Sequence, residues 1–188
     1  MTLLIIGLAL WMGAHFFKRL APNAREQMVV RFGAGASRGI MAGLMVLGIV
    51  LMVLGYRNAE YSPVYEPMTH LRHVTILLVF LAVVLMGMGS SKGRARTWLR
   101  HPMLTGVVVW AGAHLLMRGD LAAVVLFGGL ALWAIAEMFI INAAQGKWMR
   151  PEAGPAKGDI KLIIISVVVF TVLGGLHVVL GPNPFAGG

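Results

Sequence analysis

Six apolar runs dominate this sequence, at about Leu3 to Leu20, Ile40 to Tyr56, Val74 to Gly89, Met103 to Met117, Leu121 to Ala144 and Leu162 to Leu180. A helix rises 1.5 Å per residue, so runs of this length cross, or nearly cross, a hydrocarbon layer about 30 Å thick. Their apolar character is continuous rather than alternating, and backbone in lipid must satisfy its own hydrogen bonds. Helices are therefore expected, not the strands of a barrel. The third and fourth runs are the shortest, and either can be a buried helix that stops short of a full crossing. With 59% hydrophobic and 12% charged residues, the chain is too apolar for a soluble globule. The expected fold is an all-α, polytopic membrane protein of about six transmembrane helices. One integral membrane domain is expected over residues 1–188, with loops too short for another and a flexible linker from Pro151 to Gly158.

Charge sets the expected orientation. The stretch after the first run holds Lys18, Arg19, Arg25, Arg31 and Arg38. The one after the third holds Lys92, Arg94, Arg96 and Arg100, and the one after the fifth holds Lys147, Arg150, Lys157 and Lys161. The other side has Arg57, Arg72 and Arg118. The positive-inside rule then places three basic loops in the cytoplasm and both termini outside. This arrangement also explains the net charge of +9 without nucleic acid as a partner. The start of the chain has no basic leader, and Trp11, His15 and Lys18-Arg19 stand where a cleavage site would be needed, so a retained first span is expected. Pro22, Pro63, Pro67, Pro151, Pro155, Pro182 and Pro184 fall outside the runs, and Pro102 sits at a helix start, where proline is tolerated. With no cysteine, disulfides, zinc-thiolate sites, iron-sulfur clusters and thiol nucleophiles are excluded.

One word occurs twice: Trp11-Met12-Gly13-Ala14-His15 in the first run and Trp110-Ala111-Gly112-Ala113-His114 in the fourth. These runs point in opposite directions, so two inverted three-helix halves are one reading and chance similarity of common membrane residues is the other. Polar side chains at bilayer depth are costly and are functional candidates by default. They comprise His15, His114 and His177 in the runs, His70, His73 and His101 at their edges, and Glu137 with Asn142 in the cytoplasmic half of the fifth. The histidines form no H-E-x-x-H or E-x-x-H pattern, which argues against a di-metal hydrolase. Neutral imidazole is a good axial ligand for haem iron. Side chains lean toward a helix N-terminus, so small residues just before each histidine leave a shallow surface for a flat macrocycle, with Trp11 or Trp110 one turn away on its edge. The competing reading is close helix packing through small residues, with a histidine that bonds a carbonyl. Structural roles also suit His70 and His73 as an interfacial rim and His101 as part of a helix start, while the scattered methionines suit packing. Glu137 needs a histidine or arginine partner or a proton, and is expected to face the bundle interior toward the histidine-bearing helices.

The run Arg100-His101-Pro102-Met103-Leu104, then Trp110 to Asp120, then Leu126-Phe127-Gly128 resembles the pattern of the NnrU family of bacterial membrane proteins. Gly13-Ala14-His15, Arg38-Gly39, Leu71-Arg72-His73 and Leu176-His177 before a Gly-Pro tail extend the resemblance over nearly the whole chain. It implies a bacterial inner-membrane location and an association with denitrification. The family is also similar to plant 15-cis-ζ-carotene isomerase, an integral membrane enzyme that uses haem b. That likeness implies haem b here, with ligand positions falling on His15 and His114 and a cysteine position falling on Ala111, so thiolate exchange is excluded. Arginine-histidine-proline also resembles isoprenylcysteine methyltransferases, but the rest of their cofactor pattern is missing.

Complete crossings would separate His15 and His114 by ~15–18 Å in depth, against roughly 12–13 Å for two axial histidine backbones. Tilt or a short fourth span closes that gap. Otherwise His114 pairs with His177 or His73, and His15 lies near His101. Two functions follow as expectations: a haem-dependent, isomerase-like or redox protein acting on a small or lipophilic substrate, or a non-catalytic factor supporting respiratory nitrogen-oxide enzymes. Membrane lipid is an expected partner, and the basic loops can dock a protein or anionic lipid.

Overall fold

The computed structural model describes residues 1–181, and the prolines expected in the tail, Pro182 and Pro184, lie outside them. Six helices account for the described chain: α1 Thr2–Leu20, α2 Pro22–Arg57, α3 Arg72–Met88, α4 Pro102–Met117, α5 Leu121–Gln145 and α6 Ala156–Leu180. A 3₁₀ turn, Thr69–Leu71, leads into α3. No strand forms among the described residues, where Pro63 and Asp120 make one isolated antiparallel bridge. The protein is an all-α, multi-pass membrane protein. Five of the helical segments are long and apolar enough to cross a bilayer, while α4 has 16 residues and spans about 24 Å at the helical rise.

The boundaries follow the apolar runs closely, with two corrections. The basic stretch after α1 is not a loop. Ala21 alone separates α1 from α2, Pro22 takes the first helical turn, where its missing N–H costs nothing, and good helix formers follow. The break comes at Gly33, whose φ of 80° and ψ of 159° are open to glycine. Beyond it, buried Ser37 donates its hydroxyl to the Met28 carbonyl at 2.9 Å. The segment Pro151 to Gly158 is likewise not a free linker. Its last residues open α6, the Gly154 amide bonds the Gly93 carbonyl at 3.2 Å, and Gly158 lies against the Lys92–Gly93 backbone. Asp159, ahead of the apolar run of α6, accepts from the amides of Arg94 and Ala95, both at 3.0 Å.

The chain divides into two compact units. The first combines Met1–Pro67 with Arg118–Gly146, and so contains α1, α2 and α5; the second combines Met68–Met117 with the chain from Lys147 onward, and so contains α3, α4 and α6. Each unit draws helices from both halves of the sequence. In the first, Leu4, Leu8, Met52 and Ala122 form a buried cluster flanked by Trp11, Tyr56 and Leu126. In the second, Val84, Leu85, Met88, Ala95 and Leu162 do the same, with Phe80 and Val109 against them. Leu162 and Ser166 are the buried residues of α6, and its isoleucines and valines point outward, as lipid-facing side chains should.

Within the first unit, Arg118-Gly119-Asp120 ties the segment before α5 to the one after α2. The Gly119 carbonyl accepts from the amides of Val64 at 2.8 Å and Tyr65 at 3.2 Å, and the Ser62 carbonyl from Leu121 at 2.8 Å. A side chain at Gly119 would run into the Tyr65 carbonyl. Asp120 caps α5 by accepting from the Ala123 amide at 3.1 Å and pairs with Arg118 at 3.2 Å. Leu126-Phe127-Gly128 falls in a π-helical turn, Val124–Gly128.

Candidate functional site

Residues four apart share a helix face, and α1 places Trp11, His15 and Arg19 on one stripe. Trp133 and Glu137 form the matching stripe on α5. The two stripes meet inside the first unit. The His15 ring lies 4.3 Å from Trp11 and 4.6 Å from Trp133, and the two indoles are 5.4 Å apart, edge to face. At the next turn the Arg19 Nε donates to Glu137 Oε1 at 2.8 Å. Glu137 is 6% exposed, which makes this a nearly buried ion pair. Glu137 thus faces α1, the helix that carries His15. Its partner is Arg19, a residue that in the sequence belongs to a basic flank.

His15 Nδ1 lies 2.8 Å from the Trp11 carbonyl oxygen. A carbonyl can only accept, so Nδ1 carries the hydrogen and the neutral ring keeps its lone pair on Nε2. The second unit repeats this geometry on α4. His114 Nδ1 lies 2.8 Å from the Trp110 carbonyl, with the rings 4.8 Å apart. In both words the alanine is buried, at Ala14 and Ala113, and the glycine faces open space: a Cβ at Gly13 or Gly112 would meet nothing within 4 Å. The glycine side of each word is open, while the buried alanine and the histidine-to-carbonyl bond are also what close helix packing predicts.

His15 belongs to the first unit, and His70, His73, His101, His114 and His177 to the second. His70, His73 and His177 are exposed and His101 is half-buried. Among the described residues, no three histidine or acidic side chains gather to hold a bare metal ion. One site residue escaped the sequence reading. Tryptophan in an apolar helix reads as packing, so Trp133 was legible only through its four-residue spacing to Glu137.

Comparison with known proteins agrees with this architecture. The family model described as NnrU protein matches residues 3–184. A UPF0344 protein of Bacillus velezensis is 30% identical over 117 residues, covering 60% of this chain and 92% of the relative. No solved structure gives a significant match. With the family pattern extending over nearly its entire length, the chain belongs to the NnrU family.

Proposed function

We propose that this membrane protein binds haem b, that His15 in the first unit and His114 in the second are its candidate iron-ligating residues, each through Nε2, and that it serves an isomerase-like or redox role on a small or lipophilic molecule within the bilayer. The observation that carries the reading is the duplicated Trp-x-Gly-Ala-His geometry. In both copies a carbonyl takes the Nδ1 hydrogen, and a backbone carbonyl in that position commonly orients a ligating imidazole. The residues fit the group: Nε2 of neutral His15 has a lone pair, each glycine leaves an open face, and each tryptophan offers an apolar edge. When bound, haem iron supplies one-electron and Lewis-acid chemistry. The chain's own residues orient the imidazoles and enclose the His15 side with Trp11 and Trp133. Ala111 rules out thiolate ligation at that position.

The test is the absorption spectrum of the detergent-purified protein. A haem b pigment is expected, and colourless protein from haem-replete cells would refute the assignment. A second reading is a non-catalytic factor that supports enzymes of nitrogen-oxide respiration. It is favoured by the basic residues Lys92, Arg94 and Arg96, whose segment is tied to Asp159 through the Arg94 and Ala95 amides and whose charge can attract a partner. Turnover of a cis-carotenoid by the purified protein separates the two readings.

For orientation we propose the bacterial inner membrane with both termini periplasmic, supported by 13 of the 16 basic residues gathering on one side. Reporter fusions after Gly55 and after Gly93 are expected to report external and cytoplasmic positions respectively. Matching positions would overturn the topology.

A further inference from the structure

The seam between α1 and α5 contains three buried polar atoms with no hydrogen-bond partner among the described residues: Trp11 Nε1, Trp133 Nε1 and Glu137 Oε2. All three belong to the first unit and to the stripes that meet around His15. Trp133 and Glu137 are each 6% exposed, and Arg19 engages the other carboxylate oxygen, Oε1. Two of the orphaned atoms are donors and one is an acceptor. Leaving such groups unpaired in an apolar bundle is costly, and lipid chains offer nothing to pair with them.

The chemistry of the three atoms narrows what can satisfy them. The Trp11 and Trp133 rings are in contact, and Glu137 lies one turn further along α5. Each indole N–H needs an acceptor and the carboxylate oxygen needs a donor. A neutral, small molecule that both accepts and donates hydrogen bonds satisfies all three. Water meets these requirements, and a polar site with two to four partners is where internal water is found in proteins. We infer that the α1/α5 seam holds internal water, which accepts from the indole N–H groups of Trp11 and Trp133 and donates to Glu137 Oε2. The inference does not depend on haem occupancy. It places an exchangeable hydrogen within about one helical turn of His15, next to Arg19, whose side chain is 24% exposed.

The test labels the five tryptophan indoles with ¹⁵N in the intact purified protein and records water-selective cross-relaxation to each indole proton. Persistent water cross-peaks are expected at Trp11 and Trp133. They should be retained in Glu137→Gln, which keeps an acceptor oxygen, and fall several-fold in Glu137→Leu. If Glu137→Leu does not fold, Trp133→Phe provides the same readout at Trp11, where the cross-peak should weaken. Absence of a water signal at both indoles of the parent protein overturns the inference. So does a signal left unchanged by Glu137→Leu or, where that variant does not fold, by Trp133→Phe.

Discussion

Gly55→Leu is expected to abolish the folded protein in detergent, the most severe effect of any single substitution considered. A Cβ at Gly55 would sit 2.7 Å from Leu4 Cα and closer still to the Leu4 amide nitrogen. Both are backbone atoms, which cannot swing aside as a flexible side chain can. The same seam continues at Gly7, where a Cβ would lie 2.6 Å from the Met52 nitrogen and 2.7 Å from the Gly48 carbonyl oxygen. At Gly48 it would lie 3.2 Å from the Trp11 nitrogen. Small residues let membrane helices approach closely enough for dispersion to hold them together. Parting α1 from α2 would strip the packing of buried Leu4, Leu8 and Met52, a loss above about 4 kcal/mol on the scale of core disruption. Trp11 lies on this seam, so the face that presents His15 would be lost with it. Gly43→Ala is the control, since a Cβ there meets nothing within 4 Å, and it should leave the thermal midpoint unchanged. Equal midpoints for Gly55→Leu and Gly43→Ala would show that the helices do not pack as described.

Arg19→Ala should give the second largest effect. It leaves the Glu137 carboxylate 6% exposed and without its counter-charge, and breaking a buried pair from one side costs about 3–5 kcal/mol. Because Arg19 itself is 24% exposed, water screens part of the interaction, and about 3 kcal/mol is expected. Adding Glu137→Leu removes the stranded charge and should recover much of that loss, giving a clear coupling in a double-mutant cycle. Lys18→Ala, at an exposed neighbouring position, should cost little. If Arg19→Ala is no more costly than Lys18→Ala in denaturant midpoints, the ion pair does not stabilise the bundle.

Helix positions were legible because lipid requires long apolar runs, and all six ends, expected at Leu20, Tyr56, Gly89, Met117, Ala144 and Leu180, agree with the structure within about one residue. The N-terminal extension of α2 was not, because Pro22 and the charges after it read as a loop, although proline in a first turn and basic residues along a helix are both permitted. Grouping α5 with α1 and α2 depends on tertiary contacts that hydropathy does not encode. The π-helical turn at Val124–Gly128 leaves no mark in periodicity. At the candidate site, the repeated histidine word and the lone carboxylate stood out because polar residues are rare in the apolar runs. Arg19 was among the partners that Glu137 required, but only the packing of α5 on α1 selects it. The orphaned indole nitrogens depend on side-chain direction, which sequence spacing does not fix.

Haem stoichiometry in His15→Ala/His114→Ala tests the central assignment most directly. The protein would be purified from haem-replete cells beside the parent and His70→Ala, whose histidine is exposed outside both repeated words. With Nε2 of His15 and His114 as the ligating atoms, the double variant should contain almost no haem, each single variant should lose haem or its low-spin spectrum, and His70→Ala should match the parent. Full haem occupancy with an unchanged low-spin spectrum in the folded double variant would contradict the assignment.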